Sequence, residues 1–141
     1  MINFENNPLI QKTVQFSLDI IEFCELLEEK RKFVIAKQLL RCGTSIGANA
    51  FEAQNPHSKN DFINKIKISA KELEETKYWL YLCKHSKNYP FDEKLEYQND
   101  RSQRKLLFNR NAHQEGNVQW VENRSRRRYV CFCRFCTGIF V

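Results

Sequence analysis

The sequence predicts an all-α protein, an antiparallel up-and-down helical bundle that self-associates, and three observations carry that expectation. Glycine and proline are sparse, four and three in 141 residues, and no run alternates Val, Ile or Thr with polar residues as half-buried strands do. Apolar residues recur at three- and four-residue spacing through most of the first hundred positions. Helix start and stop signals bracket each of those periodic stretches. A chain of this length makes one modest core.

The first helix opens at Asn7-Pro8, because an asparagine side chain accepts from orphan N–H groups and proline has no N–H to leave unpaired. Ile10, Val14, Ser17, Ile21 and Cys24 form one apolar line, and Phe16, Ile20, Phe23 and Leu27 a second beside it. Together they are wider than one partner helix needs. The charged run Glu28 to Lys32 interrupts the pattern. A single helix from Pro8 to Asn55 would be roughly 72 Å long, so a turn is expected at Lys30 to Lys32. The second helix runs from Phe33 to Asn55, ended by Pro56, which disfavours helical geometry in the residue before it. Ser58 with Asp61 resembles a capping box and starts the third, whose inward face is Phe62, Ile66, Ser69, Leu73, Thr76 and Leu80. That helix ends before Pro90.

The stretch "LLRCGTSIGANAFEAQN" raises a choice between a phosphate loop and a helix stripped of side chains. A phosphate loop needs a preceding strand and the G-x-x-x-x-G-K-[ST] order, and "GTSIGA" has neither. Read as a helix, it places Ala36, Leu40, Gly43, Gly47 and Ala50 on one face. The helix-packing residues are then Gly43, Gly47 and Ala50, small enough to let another backbone approach. Each glycine weakens the helix by about 1 kcal/mol relative to alanine, a loss that close packing must offset. Lys37, Arg41, Ser45, Asn49 and Glu52 form a polar face, expected to be solvated.

Charge divides the chain into a bundle domain, residues 1–100, and a tail, residues 101–141. The first holds 14 Lys and Arg against 15 Asp and Glu, a balance of −1; the second holds 9 against 2, a balance of +7 with Arg replacing Lys. The tail is expected to be disordered or translated out of frame from a point near residues 98–104. No apolar run reaches the about 18 residues of a spanning helix, and "MINFENNPL" is no signal peptide, so a cytoplasmic protein without membrane contact is expected. Cys24, Cys42 and Cys83 stand among apolar neighbours, as reduced core cysteines do.

The segment "KQLLRCGTSIGANAFEAQNPHSKNDFINKIKISAKELEETKYWL", with the helix before it, resembles the bacterial four-helix-bundle family that includes the proteins encoded by 23S rRNA intervening sequences. The likeness covers about Phe4 to Tyr97, and its signature is Gln38 to Arg41, Gly43 to Asn49 and Glu52-Ala53. The resemblance implies a left-handed bundle assembled into a ring, a pentamer, without established catalytic activity. A related fold is the nucleic-acid-binding accessory subunit of diversity-generating retroelements. The family's fourth helix follows the Pro90 turn. In this chain only Phe91, Leu95 and Leu106 keep phase there, so a degraded or missing fourth helix is expected.

No catalytic residue and no cofactor is expected. Cys131, Cys133 and Cys136 spell C-x-C-x-x-C, a weak metal candidate, since a zinc site needs a fourth ligand such as His113 and usually pairs two clusters. Arg124 and Arg126 to Arg128 lie beside Tyr129 and Trp120, a mix seen in nucleic-acid segments and equally in solvated tails. Glu52, Glu72 and Glu75 could pair across helices, but no Glu-x-x-His accompanies them, and ion pairs with Arg41 or lysines are the expected outcome. The candidate phosphate contacts are Lys30, Arg31, Lys32 and Arg41. These features favour a non-enzymatic oligomeric scaffold, for which the resemblance implies RNA as the nucleic-acid partner. Alternatives are a purely structural or protein-interaction module, or the nonfunctional product of a frame-shifted gene.

Overall fold

The computed structural model describes residues 7–101, 119–123 and 128–132. Helices α1 (Pro8–Glu29), α2 (Phe33–Glu52) and α3 (Lys59–His85) are followed by α4, residues 93–101. Among the described residues no helix is long and apolar enough to cross a membrane.

The boundaries follow local chemistry. Asn7 Oδ1 accepts from the Leu9 and Ile10 amides at 3.0 and 3.3 Å, and its Nδ2 donates to Gln54 Oε1 at 2.8 Å, tying the start of α1 to the end of α2. At the other end of α1 the Lys32 amide reaches Leu27 O and the Arg31 amide reaches Glu28 O, both at 2.8 Å. Those two bonds make a Schellman closure, which places Arg31 in the left-handed region at φ 58 where glycine is usual. α2 ends at Glu52, three residues before the expected Asn55. Gln54 and Asn55 bond three residues back, to Phe51 and Glu52, because Pro56 forbids Asn55 the helical geometry. Ser58 Oγ accepts from the Asp61 amide at 3.1 Å, and Asp61 Oδ2 from the His57 amide at 2.9 Å, so the box closes one residue further out than usual.

The core is one cluster. Ile20 and Leu27 from α1, Leu39 and Ile46 from α2, and Ile66 and Leu73 from α3 have no accessible surface. The expected inward face of α3 is buried throughout, with Cys83 added.

Two expectations change. The fourth helix is present among the described residues: Asp92 Oδ1 caps it by accepting from the Lys94 amide at 2.8 Å, and Leu95 is wholly buried in the common core. One buried apolar side chain, Leu95, joined by polar ties such as Asn99 Nδ2 to Leu73 O at 3.3 Å, seats a helix whose apolar pattern is thin. In α2 the inward face carries Leu39 and Ile46, while Leu40 is exposed. Gly43 packs directly on Ile20 of α1, and Leu40 lies outside that contact.

Beside the helices, β1 (Gln119–Asn123) pairs antiparallel with β2 (Arg128–Phe132), Val121 opposite Val130. No strand was expected in the tail; Trp120-Val121 and Tyr129-Val130 supply the aromatic and β-branched residues that extended pairing favours.

Candidate functional site

The small-residue stretch is continuous helix, and its glycines sit against α1. A Cβ on Gly43 would lie 2.8 Å from Ile20 Cγ2. On Gly47 it would meet Ser17 Oγ at 3.0 Å and the Thr13 carbonyl oxygen at 3.5 Å. Ala50 is buried in the same helix. Ser17 Oγ donates to Thr13 O at 2.9 Å and stands 3.5 Å from Gly43 O across the contact.

The polar face of α2 is engaged by α3. The Arg41 guanidinium bonds Glu75 and lies 3.7 Å from Glu72, and Lys65 of α3 pairs with Glu52. Arg41 holds the Glu75 carboxyl below the ordinary range by hydrogen bonding, and its own pKa is raised in return. The paired acids are therefore ion-paired to cations, as the sequence suggests. Behind them Ser69 Oγ donates to Ile46 O at 2.8 Å, buried at the α2–α3 contact.

The four candidate phosphate contacts divide into two groups. Lys30 and Arg31 are exposed in the α1–α2 turn, and Lys32 Nζ stands 4.7 Å above the Tyr89 ring. Arg41 lies about 13 Å further along α2, with its charge matched by two carboxylates.

The three bundle cysteines are free and buried. Burial pushes the Cys24 thiol up to about 12 and Cys83 up to about 11, so both are inert apolar fillers. Among the described residues no three His, Cys, Asp or Glu side chains gather where they could hold a metal. Of the tail motif, Cys131 lies in β2 opposite Trp120, while Cys133 and Cys136 fall outside the described residues. So do His113, Arg124, Arg126 and Arg127; Arg128 opens β2.

Two features escape a reading of the sequence. Asp19 of α1 is buried and accepts from Gln15 Nε2 at 3.1 Å and Lys94 Nζ at 3.2 Å. Burial raises its pKa, and these donors with the nearby Gln98 amide outweigh that and hold it low. Gln98 makes no well-formed bond, since Asp19 Oδ2 is buried without a partner, so Gln15 and Lys94 carry the effect. An aspartate 75 residues from its lysine gives no local signal. The second is the outer surface of the helices. Val14, Leu18 and Ile21 of α1 leave 37% to 48% of their surface exposed, Leu40 of α2 leaves 39%, and three tyrosines of α3 and α4 are more exposed still. Half of this was legible, because the wide α1 stripe already exceeded what one bundle buries.

Comparison with known proteins is consistent with this geometry. A family model described as 23S rRNA-intervening sequence protein matches residues 5–108, past Tyr97 and past the change in composition. A crystal structure of a protein of unknown function from the S23 ribosomal protein family of Bacteroides thetaiotaomicron superposes with a TM-score of 0.69 at 35% sequence identity, covering 72% of this chain and 97% of that one. No curated protein matches. With a bundle of the expected topology and a family match over most of its length, the chain belongs to the 23S rRNA-intervening sequence protein family.

Proposed function

We propose that this protein is a non-enzymatic scaffold that assembles from copies of itself into a ring, a pentamer, and binds RNA. The exposed aliphatic line Val14, Leu18 and Ile21 on α1 supports self-assembly most directly. These side chains recur at helical spacing on one face, so they form a strip and not scattered single residues. A strip shared by identical subunits is the material of a symmetric interface.

Light scattering on the full chain tests this. A mass of several subunits is expected, and Leu18→Glu with Ile21→Glu should reduce it to one without loss of helical content. A wild-type monomer at micromolar concentration would overturn the assembly reading.

RNA binding draws support from the 23S rRNA intervening sequences in the matched family's description and from the Lys30-Arg31-Lys32 turn, where Lys30 and Arg31 are exposed and Lys32 is half-buried. With the bundle near neutrality, the contact is a local patch. Affinity should fall steeply with salt, and replacing all three residues with alanine should flatten that slope by up to about 3 in log units per log unit of salt. If RNA shows no shift, a self-assembling structural module is what stands.

A further inference from the structure

α3 carries a second line that the core does not use. Lys67, Lys71, Glu74, Tyr78, Tyr81 and His85 recur at intervals of three and four residues, on the side away from the buried Phe62, Ile66, Leu73 and Leu80. From Lys67 to His85 the line extends about 27 Å along the helix.

Its aromatic end is open. Tyr78 and Tyr81 each leave 55% of their surface exposed, and Tyr97 of α4 leaves 60%. α4 lies alongside α3 through the ion pairs Lys77–Asp100 at 3.0 Å and Lys84–Glu96 at 2.7 Å. Tyr97, between Glu96 and Asp100 in sequence and exposed where Leu95 and Asn99 are buried, is therefore on the outer side of the same helix pair. The Tyr81 and His85 rings lie 4.1 Å apart, and Arg101 sits 5.8 Å from the Tyr97 ring.

The charges sort the same way. Lys65, Lys77 and Lys84 of α3 are each paired with a carboxylate. Lys67 and Lys71, on the outward line, enter no ion pair among the described residues, as Lys59 at the start of the helix does not, and Glu74 offsets one of the two, so the line that shows the tyrosines keeps a small positive balance. On α1 the outward line is aliphatic, which suits burial against another protein surface. On α3 it is aromatic, with two lysines against one glutamate. Flat rings stack on any base face and lysines meet phosphate, a combination suited to a strand whose bases are unpaired. A duplex keeps those faces hidden.

We infer that the α3–α4 outer face, through Tyr78, Tyr81 and Tyr97 with Lys67 and Lys71, is a stacking platform for single-stranded RNA. The inference rests on the RNA reading above and names the surface and the form of RNA it takes.

Fluorescence anisotropy on the full-length chain tests it, with a labelled unstructured 12-nucleotide RNA, the same sequence as DNA, and its RNA duplex. The unpaired RNA should bind more tightly than the duplex. Tyr78→Ala with Tyr81→Ala should weaken that binding by about thirtyfold or more, from stacking lost at two bases. Tyr78→Phe with Tyr81→Phe, which keeps both rings, should bind as the wild type does. Circular dichroism and light scattering on each variant confirm that helix content and assembly are unchanged. Wild-type RNA binding that the alanine pair leaves intact would overturn the platform and spare the RNA reading. Absence of wild-type binding to any RNA would overturn both. Equal affinity for the DNA strand supports the stacking surface and removes its preference for RNA. Alanine variants that fall apart into monomers would overturn the platform by assigning the face to a second copy.

Discussion

The two contacts that α2 makes are built in opposite ways. Toward α1 it presents bare backbone: Gly43 leaves no room for a Cβ beside Ile20, and Gly47 lies against Ser17 and the Thr13 carbonyl. Toward α3 it presents side chains, with Ser69 bonding the Ile46 carbonyl and Arg41 gripping Glu72 and Glu75 at the rim. A contact made by shape has nothing to yield when atoms are added, whereas one made by polar side chains loses a bond at a time. The α1–α2 contact should therefore be brittle and the α2–α3 contact graded.

The largest effect should come from Gly43. Ile20 is wholly buried and branched at Cβ, so it cannot swing aside for a new side chain. Gly43→Leu should lower stability by about 3 kcal/mol, and Gly43→Ala by about 1–2 kcal/mol after the gain in helix propensity, read from chemical denaturation midpoints. A stabilised Gly43→Ala would mean that the helices are further apart than the contact shows.

Ser69→Ala comes next. It leaves a buried carbonyl of α2 without its second donor and should cost about 1 kcal/mol in the same measurement. A loss as large as that at Gly43 would erase the contrast between the two contacts.

Gly47 sharpens the comparison from within one face. The nearest atom to its Cβ position is the Ser17 hydroxyl oxygen, which can rotate away, and the next is at ordinary contact distance. Gly47→Ala should be neutral or stabilise by up to about 1 kcal/mol. Two glycines four residues apart would then differ in sign because only one meets a stiff partner.

The smallest effect belongs to the rim. Glu75 is held below its ordinary range by Arg41, so its stabilising contribution is complete at neutral pH, persists above the unfolded carboxylate pKa, and is lost as pH falls through the lowered value. Arg41→Ala should reduce acid sensitivity in that window and change little in high salt, where the exposed pair is already screened. Asp19 obeys the same sign, its lowered pKa making the α1–α4 tie to Lys94 another loss on acidification.

Function divides along the same line between shape and chemistry. The aliphatic strip of α1 and the tyrosine line of α3 both lie outside the core, yet only the first announced itself, as an apolar stripe too wide for one bundle. Tyr78 and Tyr81 read as ordinary helix residues until the fold leaves both exposed, with Tyr97 exposed on the neighbouring α4.

Local chemistry was enough to set the helices. Asn7-Pro8, the Lys30 to Lys32 break, Pro56 and Ser58 act within a few residues of themselves, and the inward face of α3 is a periodicity that needs no partner to be seen. The rotation of α2 was not set locally, because Leu39 and Leu40 are equivalent until the helix packs, with Gly43 on Ile20, Leu39 buried and Leu40 exposed. The fourth helix was hidden for a related reason. Its place depends on Leu95 reaching a core built by the other three and on polar bonds to residues far away in sequence, and neither leaves a pattern in the segment itself.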